Sequence, residues 1–325
     1  MPDEIKQAER EGKLVLFIGA GISNLFDLPL WDDFAQQLLD RFRERGLCDH
    51  LKKEEFKKSS VKKMLSFMEQ NVENFKMEAA KFLQEKENEY LRKWEPNNIY
   101  ETIKKINCVY VTTNYDELLM PRLLSRRNKR QTPKPIQKIC FREEISPDIL
   151  KQPGSGRVIH LHGCKSDPDT MVITERDYHE HYESPNIKKF LECLFKEKIV
   201  LFLGYGLSEE EILKWVFNHK KDRKIYGMNL FLLSGFEADE QRIYEDNYKY
   251  YKDNFSIKLL RFIMDNRKHG AIVDTIKRWV DQMTIQPLPP YRGEISTYKD
   301  IPPPDEVALS LYRDIELMNK ILKNE

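Results

Sequence analysis

Four groups of residues in this chain have the types and spacing that chemistry needs. They are Gly19-Ala20-Gly21 with Ser23, Thr113-Asn114 with Asp116, His162-Gly163, and Gly204-Tyr205-Gly206 with Ser208. Histidine titrates near neutrality, so His162 suits the task of accepting a proton from water or a hydroxyl. Asn114 offers an amide to hold a water or a hydroxyl, and Asp116 a carboxylate to orient either. Two glycines directly after an apolar run allow a tight turn and a close approach of backbone to a ligand. With a helix following, that stretch fits a dinucleotide or phosphate site, because free amides at a helix start favour anions.

Each group also has a plainer explanation. The glycine turn departs from the usual Rossmann fingerprint: Asn24 stands where a third glycine would be, and no acidic residue ends a second strand about 20 residues on. A tight strand exit without a ligand is the alternative there. Asn at a strand end often forms an Asx-turn. Asp116 reads equally as a cap for a helix starting at Glu117, and Ser208 as the start of a capping box running to Glu211. His160 and His162 lie two apart on a predicted strand and so share a side, with His160 in a structural role. His179 and His181 have the spacing of a metal pair, but a solvated segment is the better reading. Cys164 beside His162 suggests a thiol nucleophile, yet nothing supplies an oxyanion site.

These residues need elements to hold them. Leu14–Ile18 is a continuous apolar run, as in a strand buried on both faces of a parallel sheet. Further strands are predicted at 109–114, 158–163, 199–203, 229–233 and 256–262. The Gly154-Ser155-Gly156 turn leads into the strand at 158–163. Helices are predicted over 1–12, from Pro29 through Arg45, from Glu117 to Leu124, after Ser184-Pro185, over 237–252 and over 271–282. Short apolar strands alternating with helices argue for an α/β fold: a Rossmann-like parallel sheet covered by helices. In such sheets the ligand lies beyond the carboxyl ends of the strands, where the four groups converge. Residues about 47–105 contain helically spaced apolar positions between charged runs, and no glycine separates Gly46 from Gly154. They read as a helical insertion within a domain spanning 1–282. Residues 283–325 form a proline-rich linker, with Pro287, Pro289, Pro290 and Pro302-Pro303-Pro304, and a C-terminal amphipathic helix striped by Val307, Leu311, Ile315, Met318 and Leu322.

The chain has 325 residues, with 54 basic against 53 acidic side chains, so its near-neutral balance excludes a strongly basic nucleic-acid binder. Nucleic-acid contact through the local basic stretch 125–138 stays open. No apolar run approaches the roughly 20 residues of a membrane helix. The charged N-terminus lacks a signal-peptide core, and the five scattered cysteines form no C-x-x-C pair. A cytoplasmic protein with no membrane contact and no metal is the expectation.

The ordered motifs resemble the sirtuin superfamily over roughly residues 10–220. Gly19-Ala20-Gly21-Ile22-Ser23 matches its GAG-x-S loop, Thr112-Thr113-Asn114 its T-Q-N strand end, His162-Gly163 its histidine, and Gly204-Tyr205-Gly206, loosely, its G-T-S loop. The paired zinc cysteines of sirtuin deacylases are missing, and Leu28-Pro29-Leu30-Trp31 replaces their I-P-x-F-R segment. Together with the T-N-Y-D and H-L-H-G stretches, this is similar to the bacterial sirtuin-like domains of anti-phage defence. The resemblance implies NAD as substrate and cleavage of its nicotinamide–ribose bond. It implies catalytic Asn114, His162 and Asp116, with NAD held by Gly19, Ala20, Gly21, Ser23, Thr113, Gly204, Gly206 and Ser208. It also implies oligomers, or a partner such as a HerA-type ATPase or a short Argonaute. A non-catalytic NAD or ADP-ribose sensor and, more remotely, an NAD-dependent deacylase are the alternatives.

Overall fold

Leu14–Ile18, strand β1, is buried at all five positions and sits mid-sheet. Side chains alternate along a strand, so such a run feeds two cores at once. Val15 and Phe17 enter one apolar cluster, while Leu14, Leu16 and Ile18 enter another on the opposite face. Each such side chain contributes about 1.5–3 kcal/mol through burial, which makes β1 the spine of the molecule. The computed structural model describes residues 1–48, 59–91, 98–119, 138–151, 157–207, 209–218 and 230–284. The chain divides into Met1–Ile285 and Gln286–Glu325; the predicted proline linker and final helix lie outside the described residues.

The sheet is parallel throughout. Its other strands are β2 (Val109–Thr112), β3 (Lys138–Ile139), β4 (Val158–His160), β5 (Ile199–Leu203), β6 (Leu230–Phe236) and β7 (Ile257–Ile263), in the order β3-β4-β2-β1-β5-β6-β7. The chain builds outward from β1 to one edge and then returns to lay β5 along the other side of β1. The gap between β1 and β5 is therefore the topological switch point, where open α/β sheets receive ligands. Ile18 pairs with both Thr112 and Leu203, so Gly19, Thr113 and Gly204 leave the sheet at one level.

Eleven helices among the described residues surround this sheet. One face is covered by α1 (Asp3–Arg10), α6 (Ile99–Ile103) and α11 (Ile272–Thr284), which place Ile5, Tyr100, Ile103 and Ile276 in its core. The other carries α7 (Glu175–Glu183), α8 (Pro185–Glu197), α9 (Glu210–Asn218) and α10 (Gln241–Phe255). The single turn α2 (Ala20–Ser23) follows β1. A third cluster joins α3 (Trp31–Glu44), α4 (Val61–Asn71) and α5 (Phe75–Leu91): Phe34, Leu38 and Phe42 meet Leu65, Met68, Phe75 and Phe82. Tyr115, Met171 and Ile173 from the sheet side belong to this cluster. The helical segment thus sits against the loop after β2, and Arg41–Glu85 ties α3 to α5.

Several expectations need correction. The predicted helix from Glu117 does not start: residues 117–119 are irregular, because the Asp116 carboxylate takes up the Leu118 amide in a tight turn, and 120–137 lie outside the described residues. The same holds for most of the basic stretch; its last residue, Lys138, opens the edge strand β3, which the reading of the sequence missed. The third predicted strand stops at His160 rather than Gly163. Ser184 caps α8 by position, with Pro185 first in the helix, but its side chain makes no capping hydrogen bond. No helix among the described residues is long and apolar enough to cross a membrane.

Candidate active site at the switch point

The end of β2 is held rigid by its own side chains. Thr112 Oγ1 donates to the Ile18 carbonyl at 2.8 Å and accepts the Asn114 amide at 3.0 Å, which stitches β2 to β1 as both leave the sheet. His160, at the end of β4, contacts the Asn114 carbonyl through Nδ1 at 3.0 Å. A carbonyl only accepts, so Nδ1 carries the proton. Burial lowers the His160 pKa to about 4 and keeps the ring neutral. His160 is thus a structural clamp on the backbone of Asn114.

The Asn114 side chain is oriented by a buried relay. Its Nδ2 donates to Ser23 Oγ at 2.8 Å, and Ser23 donates to Asp116 Oδ2 at 2.7 Å. Tyr100 OH lies 2.8 Å from the same Ser23 oxygen. An ionised Asp116 must accept, so Ser23 gives it its only proton and accepts from Asn114 and Tyr100. That fixes the amide: NH2 toward Ser23, carbonyl away from it. Asn114 Oδ1 is buried and has no hydrogen-bond partner among the described residues. Burial raises the Asp116 carboxyl to about 6, against the lowering effect of the Ser23 hydrogen bond.

A cavity of about 90 Å³ lies here, lined among others by Ala20, Ser23, Thr113, Asn114, Asp116 and His162. The structure brings these six predicted residues together. Three others do a different job. Gly19, Gly21 and Gly204 close the seam between β1 and β5: the Gly21 amide donates to Gly204 O at 2.8 Å. A Cβ on Gly204, whose φ is +59°, would fall 2.5 Å from the Ile22 nitrogen. The glycines therefore serve backbone-to-backbone packing, and the Gly21 amide is not free for a phosphate. Gly206 is exposed and outside the cavity lining, and Ser208 lies outside the described residues.

His162 does not share a side with His160, because the strand has ended and the chain turns at Leu161. Its Nε2 lies 2.7 Å from Tyr182 OH, and Nδ1 is 3.9 Å from Glu209 Oε1. Burial, and then the neighbouring His181 and Lys62, hold its pKa well below the usual imidazole value. His181 is buried too, with its ring edge-on to His162 at 5.8 Å, so the expectation of a solvated segment fails for this residue. His179 is exposed as expected.

The reading of the sequence missed Glu209, Tyr178 and Trp31, which also line the cavity. Glu209 stands in a Ser-Glu-Glu-Glu run that reads as an ordinary helix start, so the sequence carried no signal for it. Tyr205 OH donates to Glu209 Oε2 at 2.7 Å, and burial raises this carboxyl to about 7. The same three residues line a wider groove of about 920 Å³, within the range of ligand sites.

Cys164 lies away from the cavity. Its Sγ, that of Cys140 and an Asp167 oxygen fall within 4.8 Å of one another, a spacing a metal could use. Lys138 Nζ already stands 3.0 Å from Asp167 and 2.8 Å from Glu117, so a positive charge is in place there.

A neutral buried histidine, an oriented amide and two carboxyls raised by burial now face one small cavity at a switch point. Residues 108–252 match the family model of the SIR2-like domain. The chain is thus similar to the SIR2-like family over that stretch. It is also similar to Defense-associated sirtuin 2 of Bacillus subtilis, at 29% identity over 228 residues. That alignment covers 67% of this chain and 21% of the relative, so the chain spans about a fifth of the length of the curated protein it matches. The match to the SIR2-like domain takes in Asn114, Asp116, His162, Gly204 and Glu209 but begins after β1, so Ser23, Gly19 and Gly21 come from outside it.

Proposed function

We propose that the domain is an NAD glycohydrolase, which cleaves the nicotinamide–ribose bond to give nicotinamide and ADP-ribose. The observation that carries this reading is Asn114 Oδ1: a buried acceptor, oriented by the Ser23–Asp116 relay, without a partner among the described residues, in a cavity shared with His162. An unpaired buried acceptor costs about 1–3 kcal/mol, which a bound donor would relieve. A ribose hydroxyl or the attacking water supplies such a donor. Loss of nicotinamide passes through an oxocarbenium-like state, as in glycoside hydrolysis, so the site needs oriented polar groups and a proton acceptor more than a strong nucleophile. Asn114 does the first and the His162–Glu209 pair the second. Asp116 acts through Ser23. The large groove admits the rest of the dinucleotide, while Ala20 and Thr113 line the reacting end.

The similarity to a defence-associated sirtuin supports a role in anti-phage defence, with NAD depletion in the cytoplasm as the effector step. Assembly into oligomers, or with a HerA-type ATPase or short Argonaute, belongs to the same proposal and is tested by co-purification.

The deciding experiment is nicotinamide release from NAD by the full chain beside Asn114→Ala. A loss of about 100-fold or more with unchanged thermal unfolding is expected, in line with the removal of one preorganised polar group. Wild-type rates in the variant refute the reading. Tight NAD binding without release supports a sensor instead.

A further inference from the structure

We propose that Glu209 is the catalytic base that takes the proton from the attacking water, with His162 as its positioning partner. This rests on the NAD-cleavage reading above. Of the three residues that line both the small cavity and the open groove, Glu209 is the carboxylate. It is fixed in place, since its carbonyl accepts the Leu213 amide of α9 at 3.0 Å and Tyr205 OH holds Oε2 at 2.7 Å. That leaves Oε1, which accepts no hydrogen bond among the described residues and stands 3.9 Å from His162 Nδ1.

The other candidates are committed elsewhere. Asp116 accepts from Ser23 and the Leu118 amide. With its Nδ1–H facing the Glu209 carboxylate, His162 accepts from Tyr182 OH through Nε2 and has no lone pair left for water. The ring is also enclosed edge-on by Tyr178 and His181. As the water oxygen bonds to the anomeric carbon of the ribose, the carbon–nitrogen bond breaks and its electron pair leaves with nicotinamide. The water proton passes to Glu209 Oε1 and then to solvent through the groove.

The titratable and charged groups facing Glu209 are Tyr205 from its own turn, His162, Tyr115, Tyr178 and Tyr182, Lys62 from α4, and Glu211 from α9. Burial pushes the tyrosines up and His162 down, so none of these five changes charge near neutrality. Glu209, at about 7, does.

The test uses the full chain and NAD. Wild-type kcat should rise with pH through about 7. Glu209→Gln should lower kcat by about 100-fold or more with KM within about threefold, and should abolish that pH limb. Formate should restore about tenfold or more of the kcat of Glu209→Ala, which a merely structural loss would not allow. A limb that persists in Glu209→Gln, or a kcat within about threefold of wild type, overturns the assignment and leaves NAD cleavage standing. No nicotinamide release by the wild type overturns both.

Discussion

Asp116 allows the sharpest test of the relay that orients Asn114. Burial raises its folded pKa to about 6 from an ordinary 3.8, roughly two units. One unit is worth about 1.4 kcal/mol, so ionising Asp116 in the folded state costs about 3 kcal/mol at pH 8. Asp116 is only 6% exposed, so little of this is screened by solvent. The sign follows from the direction of the shift. Because the folded pKa is the higher, the stability tied to the protonated form is complete below about 4 and is lost as pH rises through about 6. Asp116→Asn removes the charge while keeping the shape. It should match wild type near pH 4 and exceed it by about 2–3 kcal/mol at pH 8, or roughly 5 °C in Tm. Activity should move the other way. Ser23 no longer faces an obligatory acceptor, so the Asn114 amide loses its enforced orientation and nicotinamide release should fall about tenfold or more. The assay is unfolding of both proteins at the two pH values, since the double difference cancels every other titrating group. A gap independent of pH, or an Asp116→Asn protein less stable than wild type at pH 8, refutes the reasoning.

Gly204→Ala combines a left-handed φ with a Cβ 2.5 Å from the Ile22 nitrogen, and should cost about 3 kcal/mol or more, read as a drop in chemical-denaturation midpoint. Lys165 pairs with Glu87 at 2.9 Å and Glu117 at 3.3 Å, with 6% of its side chain exposed. Lys165→Met strands the buried Glu87 and should destabilise by about 3–5 kcal/mol in thermal unfolding, whereas the paired change with Glu87→Leu should recover most of that loss.

The sheet was legible because β1 and β5 are unbroken apolar runs that only a doubly covered strand explains. β3 was not, since two residues beside a basic stretch carry no period at all. The site was legible where chemistry stands at strand ends: Asn114, Asp116 and His162 do meet around one cavity. The glycines were read as a ligand cradle, yet they serve a seam between two backbones, because local spacing cannot show that Gly204 packs on Gly21. Tyr182 and Tyr178 come from α7, a stretch read from the sequence as solvated, and only tertiary packing brings them onto His162. Glu209 was hidden for the same reason, as an acidic residue at a helix start needs no further explanation.

The position of β5 beside β1 has a consequence for synthesis. β1 ends at Ile18 and its partner on the switch-point side at Leu203, so about 185 residues are translated between the two. At roughly 5–20 residues per second, β1 waits about 10–40 s for that partner. Throughout that interval the cavity lacks the wall that carries Glu209, and the segment 108–252 made alone would have two half-sheets with no strand between them. A domain proposed to destroy a central metabolite thus cannot assemble its site before Glu209 has been made.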